Sequence, residues 1–234
     1  MRVAALLLAA GRGERLGSSI PKAFVPLAGK PLLLHAAERL ARVPEIDCVL
    51  PVLAEAAGLH AAHWRADLLR VPKVVAPVAG GERRQDSVCR GLAALAPVFT
   101  WVVVHDAARP LLASALVTRV LEAAQKTGAA IAAVPLRDTL KIVREGTVVE
   151  TPDRAECFAA QTPQVFRTQL LRDALQEAQV SGVTGTDDAQ LVERLGVSVA
   201  VVPGDPRNLK ITEASDLAVA GLWLRAAMIA EEVA

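Results

Sequence analysis

The stretch LLLAAGRGERLGSSIPKAF, residues 6–24, decides how the chain is expected to fold. It continues an apolar run that starts at residue 3, and such a run predicts a strand buried on both faces of a parallel sheet. The loop that follows contains Gly11 and Gly13. Glycines let backbone N–H groups approach a phosphate closely, and Arg15 and Lys22 add two cations. The stretch therefore predicts a first strand followed by an anion-binding loop.

Two better-known nucleotide-binding loops fit this stretch poorly. A dinucleotide-binding turn, G-x-G-x-x-G, needs its third glycine at position 16, which is Leu16. A P-loop ends in Gly-Lys-Ser or Gly-Lys-Thr, and this loop does not. An ordinary turn with solvated charges stays open as an alternative. The loop alone therefore does not decide the function.

Strands and helices alternate along the rest of the chain. Apolar runs predict the strands, and apolar residues at helical spacing predict the helices between them. The predicted strands are residues 3–8, 46–52, 73–78, 101–105, 129–135 and 197–202. The first predicted helix has Pro31 as its first residue, and the last has Thr212 as its N-cap. The helices predicted between them span residues 55–69, 84–95, 113–126, 169–179 and 187–195. This order predicts a single α/β domain over residues 1–234, a Rossmann-like three-layer sandwich with a mostly parallel sheet.

Residues 136–157 break this alternation. Here apolar and polar residues alternate in two runs joined by Glu145 and Gly146, which predicts a β-hairpin. The hairpin is too polar for the core, and an isolated two-stranded ribbon is only marginally stable in water. We therefore expect a protruding arm that packs on a second subunit.

Composition limits the classes of function. The 234 residues are 53% hydrophobic and carry a net charge of +1, which suits a packed core and gives no overall field to recruit nucleic acid or an anionic membrane. The three cysteines lie far apart without a CxxC pair, so we expect a cytoplasmic protein with reduced thiols. The apolar run at the N-terminus is short for a signal peptide, and the one near the C-terminus falls short of the ~20 residues that span a bilayer. Neither a membrane nor a nucleic acid is an expected partner.

Two further segments carry candidate site residues. VVVHDAARP, residues 102–110, is a strand that ends in Asp106, and α/β proteins bind ligands at the carboxyl ends of parallel strands. Asp106 suits Mg²⁺, which takes one or two carboxylates together with phosphate oxygens, and Arg109 suits an anion. His105 is expected to be a hydrogen-bonded histidine at a strand end rather than a base. GGERRQDSV, residues 80–88, indicates by itself only a turn and the start of a helix.

These segments and three later ones together resemble a known family. The pattern AAGxGxRLG with a following PK is similar to the signature of enzymes that join a nucleoside triphosphate to a sugar phosphate. The other matching segments are GGxxRxxSV, HDAARP, PLRDTLK (135–141), TPDRAECFAAQTPQVF (151–166) and NLKIT (208–212). With them, the chain resembles the 2-C-methyl-D-erythritol 4-phosphate cytidylyltransferases from residue 3 to about residue 220. One departure is Pro152, where relatives often carry an aliphatic residue.

The resemblance implies a role for each candidate residue. The implied catalytic residues are Arg15, Lys22, Arg154 and Lys210. The implied nucleotide contacts are Ala9, Ala10, Gly11, Gly13, Gly81, Glu82, Ser87, Asp106 and Ala107, with Gly81, Glu82 and Ser87 near the cytosine. The implied substrate contacts are Arg109, Thr139 and Thr162. Mg²⁺ is the expected cofactor, with Asp106 as its ligand and Asp205 as a weak candidate for a second one.

The resemblance also implies a reaction and an assembly. CTP and 2-C-methyl-D-erythritol 4-phosphate would give the cytidine diphosphate alcohol and pyrophosphate, a step in isoprenoid precursor biosynthesis. A homodimer would exchange its arms, so that Arg154 reaches the alcohol phosphate in the other subunit while Lys210 serves its own. The alternatives are a ribitol 5-phosphate cytidylyltransferase, an NAD-dependent reductase, which Leu16 disfavours, and a nucleotide-binding regulator without turnover.

Overall fold

The computed structural model describes residues 1–11 and 20–233, with the backbone alone for residue 56 and residues 227–233. The strands are β1 (Val3–Ala9), β2 (Pro26–Leu27), β3 (Lys30–Pro31), β4 (Cys48–Leu53), β5 (Val78–Ala79), β6 (Trp101–Asp106), β7 (Ala129–Pro135), β8 (Ile142–Arg144), β9 (Thr147–Glu150), β10 (Phe158–Arg167) and β11 (Ala200–Pro203). The helices are α1 (Leu32–Ala41), α2 (Gly58–Arg70), α3 (Arg84–Ala94), α4 (Ser114–Thr127), α5 (Thr168–Val180), α6 (Asp188–Glu193) and α7 (Ala214–Val233).

Seven strands form one mostly parallel sheet, in the order β11-β7-β10-β6-β1-β4-β5. Strand β10 is the exception, because it runs antiparallel to both β6 and β7. Helices cover both faces. Odd-numbered residues of β1 pack with α1 and α4, and even-numbered ones pack with α3, α5 and α6. Burial on both faces explains why β1 is apolar throughout, and the predicted three-layer α/β sandwich is confirmed.

Two predicted strands differ from the observed ones. Within residues 73–78, Val78 belongs to the two-residue strand β5. Val74 makes an isolated β-bridge with Val49. Lys73 has a positive φ of 64°, which turns the chain, and Pro77 has no N–H to donate. The strand predicted at 197–202 is shifted and spans Ala200–Pro203.

Strand β10 was not predicted at all. Its sequence contains Pro163, and a proline inside an apolar run argues against a strand in the middle of a sheet. The pairing with β7 shifts register between Gln161 and Gln164, so the irregularity falls where the proline lies. The shift in register lets β10 pair with β7 on both sides of Pro163, which has no backbone N–H to donate.

The predicted hairpin is confirmed. Strands β8 and β9 pair only with each other, in a two-stranded sheet apart from the main one. Glu145 and Gly146 between them have positive φ values of 49° and 76°, as a tight hairpin turn requires. Val143, Val148 and Val149 are each more than half exposed. The arm therefore presents apolar side chains to solvent in this single chain.

The starts of two helices are corrected. Pro31 precedes α1 as its N-cap instead of being its first residue. Thr212 is not the N-cap of α7, which begins at Ala214. The Asp216 carboxylate does the capping, because it accepts the backbone N–H groups of Thr212 (2.7 Å) and Glu213 (2.9 Å). None of the described helices has the length and apolar character needed to cross a bilayer.

Candidate active site

A cavity of about 560 Å³ opens at the carboxyl ends of β1 and β6. Neighbouring parallel strands end at the same edge of the sheet, where ligands of α/β proteins bind. The cavity is lined by Leu8, Ala9, Ala10, Gly11, Lys22, Ala23, Gly81, Glu82, Arg83, Arg84, Ser87, Asp106, Ala107, Ala108, Lys210 and Thr212. Segments from four distant parts of the chain thus meet at one site.

Most of the predicted nucleotide-binding residues line this cavity. They are Ala9, Ala10, Gly11, Gly81, Glu82, Ser87, Asp106 and Ala107, joined by the predicted catalytic residues Lys22 and Lys210. Lys22 opens the short 3-10 helix Lys22–Phe24, whose Ala23 and Phe24 are buried in the core. Arg15 and Gly13 lie outside the described residues. The structure therefore brings the described part of residues 9–23, the GGERRQDSV segment and the HDAARP segment to one cavity.

The loop before α3 is shaped by two glycines. A Cβ on Gly80 would lie 2.7 Å from the Cβ of Ala10, and one on Gly81 would lie 2.3 Å from the Cβ of Asp86. Neither distance is tolerable, so both positions need glycine. The Gly81 N–H donates to the Ser87 hydroxyl at 3.1 Å, which pins the loop on the first turn of α3. The loop thus forms a close-packed wall of the cavity beside the end of β1.

Asp106 is the electrostatic centre of the cavity. Its Oδ2 lies 2.7 Å from Lys210 Nζ, and its Oδ1 lies 3.4 Å from Arg84 Nε. Burial alone would raise the pKa of Asp106, but the charges of Arg84, Lys210 and Arg109 lower it well below its ordinary value. Lys210 is held there by its neighbour Ile211, whose N–H donates to the Ala108 carbonyl at 2.8 Å. Asp106 is therefore a carboxylate with cations on both oxygens.

A buried hydrogen-bond chain supports Asp106 from behind. The Asp106 N–H donates to Thr162 Oγ1 at 3.1 Å, and Thr162 Oγ1 lies 3.0 Å from His105 Nδ1. His105 Nε2 lies 3.1 Å from the carbonyl oxygen of Arg109. Burial lowers the pKa of His105 to about 4, so the ring is neutral, with Nε2–H donating and Nδ1 accepting from the Thr162 hydroxyl. The expectation that His105 is a hydrogen-bonded histidine at a strand end is confirmed.

Two predicted substrate contacts lie behind the cavity wall instead of on it. Thr162 is 4% exposed, and its hydroxyl is hydrogen-bonded to the Asp106 N–H and to His105 Nδ1. Arg109 is 8% exposed, and its guanidinium donates to the carbonyl oxygens of Asn208 (2.8 Å) and Ala160 (3.4 Å). These bonds tie the segments after β6, within β10 and before Lys210 together. In this chain both residues act as supports, and neither is brought to the cavity.

The two predicted site residues on the arm are also outside this cavity. Thr139 is exposed, and Arg154 is exposed with its Nη1 donating to the carbonyl oxygen of Arg137 at 2.9 Å. Because the arm departs from the main sheet, its residues do not fold back onto the cavity of their own chain. Their predicted roles stay predictions.

Arg84 is a site residue that was not predicted from the sequence. This residue lines the cavity, and its guanidinium lies between Asp106 and the buried Asp188, with Arg84 Nη1 2.7 Å from Asp188 Oδ2. The two carboxylates outweigh the effect of burial and raise the pKa of Arg84, so it stays cationic. A signal was present, because Arg83 and Arg84 stand side by side at the start of α3. The segment was interpreted as a base contact alone, and its charge was passed over.

The metal-binding capacity of the site is small. Within residues 1–11 and 20–233, no three His, Cys, Asp or Glu side chains are grouped so that they could hold a metal ion. Asp106 and Glu82 are the carboxylates among the described lining residues. Asp205, the weak candidate for a second ligand, accepts the Arg207 N–H at 2.8 Å and does not line the cavity. A divalent ion here would need further oxygens from a bound ligand.

Comparisons with known proteins agree on one family. Residues 3–226 match the family described as 2-C-methyl-D-erythritol 4-phosphate cytidylyltransferase. The chain is 44% identical over 225 residues to the protein of that name from Syntrophotalea carbinolica, covering 96% of this chain and 97% of that one. It is also 44% identical over 223 residues to the one from Symbiobacterium thermophilum, covering 95% and 92%.

Solved structures give the same result. The crystal structure of 2-C-methyl-D-erythritol 4-phosphate cytidylyltransferase from Thermus thermophilus is similar, with a TM-score of 0.79 at 36% identity, covering 96% of this chain and all 100% of that one. The structure of 4-diphosphocytidyl-2C-methyl-D-erythritol synthase from Anaerococcus prevotii has a TM-score of 0.83 at 30% identity, covering 96% and 98%. Sequence and fold thus point to the same relatives.

Proposed function

The chain belongs to the 2-C-methyl-D-erythritol 4-phosphate cytidylyltransferase family, and from this premise we propose that the cavity beside Asp106 is its active site. The enzyme transfers CMP from CTP to 2-C-methyl-D-erythritol 4-phosphate in isoprenoid precursor biosynthesis. A single observation carries the proposal. Lys22, Asp106 and Lys210 from three separate segments line one cavity with Ala10 and Gly11, which follow β1. The ribitol 5-phosphate alternative is not favoured, because family and relatives share the methylerythritol acceptor in their names.

The reaction needs charge neutralisation and alignment rather than a base. The nucleophile is an oxygen of a phosphate monoester, whose second pKa near ~6 leaves it ionised at neutral pH. This oxygen forms a bond to the α-phosphorus of CTP as the bond from the α-phosphorus to the bridging oxygen breaks, and pyrophosphate leaves with that electron pair. No proton has to be removed from the nucleophile, which fits a site where the neighbouring His105 is buried and neutral.

We assign the charge neutralisation to the first loop. Lys22 lines the cavity beside Gly11, where backbone N–H groups can approach a triphosphate. Arg15 belongs to the same loop by sequence and lies outside the described residues. Cationic groups fixed in place before the reaction stabilise the charge that develops at the α-phosphate without reorganising. Lys22 and Arg15 are thus proposed as the residues that act mainly in the transition state.

We assign positioning of the alcohol phosphate to Lys210. Its side chain is 41% exposed, and its ammonium group is held by Asp106. This pairing keeps Lys210 extended into the cavity in the absence of substrate. An incoming phosphate monoester offers a second anion to the same ammonium. Alignment of the nucleophile in this way lowers the entropic part of the barrier.

Mg²⁺ is proposed as the cofactor, with Asp106 as the protein carboxylate. The fit rests on the donor set, since Asp106 is anionic, lines the cavity and already binds a cation, Lys210, through one oxygen. Phosphate oxygens of CTP would supply the remaining ligands, as Mg²⁺ usually requires. When bound, the ion neutralises part of the triphosphate charge.

Recognition of the base is assigned to the loop before α3. Gly81, Glu82 and Ser87 line the cavity, and Gly80 and Gly81 let this loop pack closely against Ala10 and Asp86. A pyrimidine is small enough to be recognised through hydrogen bonds with backbone groups and a hydroxyl. We therefore propose that this wall holds the cytosine.

We also propose a homodimer in which the arms are exchanged. The half-exposed valines of β8 and β9 need a partner surface, since burying apolar area is the main source of stability for such a ribbon. Arg154 and Thr139 lie on this arm, away from the cavity of their own chain. Docking of the arm on a second subunit would bring them to its alcohol phosphate. The free thiols of Cys48, Cys89 and Cys157 fit a cytoplasmic location, where thiols stay reduced.

The direct test measures pyrophosphate release from CTP and 2-C-methyl-D-erythritol 4-phosphate in the unmodified protein and in Lys210→Ala. Loss of one charged contact in the active site should lower kcat/KM about 100-fold or more. Lys126→Ala, an exposed lysine of α4 outside the cavity, is the matched control and should retain full activity. Equal activity of Lys210→Ala and Lys126→Ala would contradict the assignment of this cavity.

A further inference from the structure

Asp188 is a buried acidic residue without a role in the proposed mechanism. It is the first residue of α6 and is 1% exposed. It does not line the cavity, yet its Oδ2 lies 2.7 Å from Nη1 of Arg84, which does. The atoms are close but not aligned as a hydrogen bond, since Asp188 Oδ2 has no hydrogen-bond partner among the described residues. The contact is thus chiefly one of charge.

Arg84 is held between two carboxylates. Its Nη1 faces Asp188, and its Nε makes a longer contact of 3.4 Å with Asp106 Oδ1. Asp106 in turn contacts Lys210 at 2.7 Å. The four charges therefore alternate in sign from the interior to the cavity, in the order Asp188, Arg84, Asp106, Lys210. Arg84 and Lys210 thus share the carboxylate of Asp106.

Stability alone is a poor reason for such an arrangement. Removing two charges from water costs several kcal/mol per ion, and a buried ion pair is often no more stable than apolar residues of similar size. Burial raises the pKa of Asp188, although Arg84 opposes this effect. A carboxylate is thus present where its charged form is disfavoured by its surroundings. The effect of Asp188 on the position of Arg84 explains its presence better than stability does.

Without Asp188, the remaining carboxylate near Arg84 would be Asp106. A guanidinium and a carboxylate prefer to meet edge to edge with two parallel hydrogen bonds. Arg84 would then turn toward Asp106 and compete with Lys210 for its oxygens. Asp188 prevents this by attracting the far end of the guanidinium. The 3.4 Å separation of Arg84 Nε and Asp106 Oδ1 is consistent with such a divided attraction.

We infer that Asp188 is a positioning residue for cytidylyl transfer, which holds Arg84 at the cavity wall and leaves Asp106 available to Lys210 and to the bound nucleotide. The inference rests on the proposed active site. In this role Asp188 acts through Arg84 and does not itself line the cavity. The effect of losing Asp188 must therefore depend on whether Arg84 is present.

A double-mutant cycle tests this dependence. kcat and KM for CTP are measured for the unmodified protein, Asp188→Asn, Arg84→Gln and the double variant, with a thermal melt of each. Asp188→Asn keeps the shape of the side chain and removes its charge, and misplacement of a site residue should lower kcat/KM about 100-fold. In the Arg84→Gln background the same substitution should have almost no further effect, because contacting residues couple. Asp187→Asn is the matched control, since Asp187 caps α6 and accepts a hydrogen bond from Gln164, and within residues 1–11 and 20–233 it forms no ion pair with an arginine. It should change the melting temperature and leave kcat/KM nearly unchanged.

The outcomes distinguish the positioning role of Asp188 from the proposed function. A folded Asp188→Asn variant with full kcat/KM, or equal losses in both backgrounds, would overturn the positioning role. If Asp188→Asn alone does not fold, the comparison of Arg84→Gln with the double variant still decides, because this pair of substitutions removes both buried charges; a further loss of kcat/KM in the double variant overturns the inference. Absence of cytidylyl transfer in the unmodified protein would instead overturn the proposed function, and the positioning role with it.

Discussion

Lys210 and Asp106 form an ion pair of 2.7 Å in the lining of the cavity, although they come from segments far apart in the sequence. The backbone bond from Ile211 N–H to the Ala108 carbonyl fixes the two segments side by side. Arg109 adds a second link through the Asn208 carbonyl. Backbone and side-chain contacts between the two segments therefore fix the pair in the fold.

Asp106→Asn should remove the metal dependence of nucleotide binding. The substitution takes away the negative charge that pairs with Arg84 and Lys210 and that we propose as a magnesium ligand. CTP affinity should be measured by calorimetric titration at increasing Mg²⁺ concentration. The unmodified protein should bind CTP more tightly as Mg²⁺ rises, and Asp106→Asn should show a much smaller change. The control is Asp67→Asn, an exposed aspartate of α2. An identical magnesium response in Asp106→Asn would mean that Asp106 is not a ligand.

Lys22→Ala and Arg15→Ala should lower kcat more than they raise KM for CTP. Their charges are expected to matter most as negative charge builds at the α-phosphate, so transition-state binding should suffer more than ground-state binding. The expected loss in kcat is about 100-fold to 1,000-fold for each. Steady-state kinetics with varied CTP provides the measurement. Near-normal turnover in either variant would remove that residue from the catalytic assignment.

The main sheet was predictable where a strand obeys local rules. Strand β1 is apolar at every position because both of its faces are covered, and such a run is recognisable from sequence. Strand β10 was not, because Pro163 breaks the expected pattern and only the register shift in the folded sheet accommodates it. The strand predicted at residues 73–78 was wrong for the opposite reason. Their composition suits a strand, but the turn at Lys73 and the proline at position 77 leave only a short edge segment.

The candidate site shows a similar division. Residues that project into the cavity from the ends of strands and loops, such as Gly81 and Lys210, were predicted through the resemblance of their motifs. Arg109 and Thr162 belong to the same motifs but support the cavity from behind, which depends on how three segments pack. Asp188 carries no sequence signal for its contact with Arg84. Contacts between distant buried charges follow from the tertiary structure, and local sequence does not encode them.

The arm should place Arg154 in the active site of the neighbouring subunit. Arg154→Ala and Lys22→Ala should each be inactive as separate homodimers. When the two are mixed under subunit exchange, both lesions fall in one site of each mixed dimer, and the other site is intact. Activity should therefore reappear on mixing, up to one working site of two in every mixed dimer. The measurement is pyrophosphate release against time after mixing.

Two observations make this complementation experiment decisive. Subunit exchange has to be demonstrated independently, for example by native mass spectrometry of differently tagged chains. A mixture of Lys22→Ala with Lys210→Ala serves as the control, because both lesions are assigned to the same subunit's site and no intact site can form. If exchange occurs and Arg154→Ala still recovers no activity with Lys22→Ala, then Arg154 does not serve the neighbouring subunit.

The most direct measurement supplies the unmodified protein and Mg²⁺ with each of CTP, UTP, ATP and GTP, paired with 2-C-methyl-D-erythritol 4-phosphate or ribitol 5-phosphate. Pyrophosphate and the nucleotide-linked alcohol are quantified together by mass spectrometry and a coupled assay. We expect 4-diphosphocytidyl-2-C-methyl-D-erythritol and an equal amount of pyrophosphate, with kcat/KM highest for the pair of CTP and 2-C-methyl-D-erythritol 4-phosphate. Comparable efficiency with UTP or ATP, or with ribitol 5-phosphate as acceptor, would contradict it.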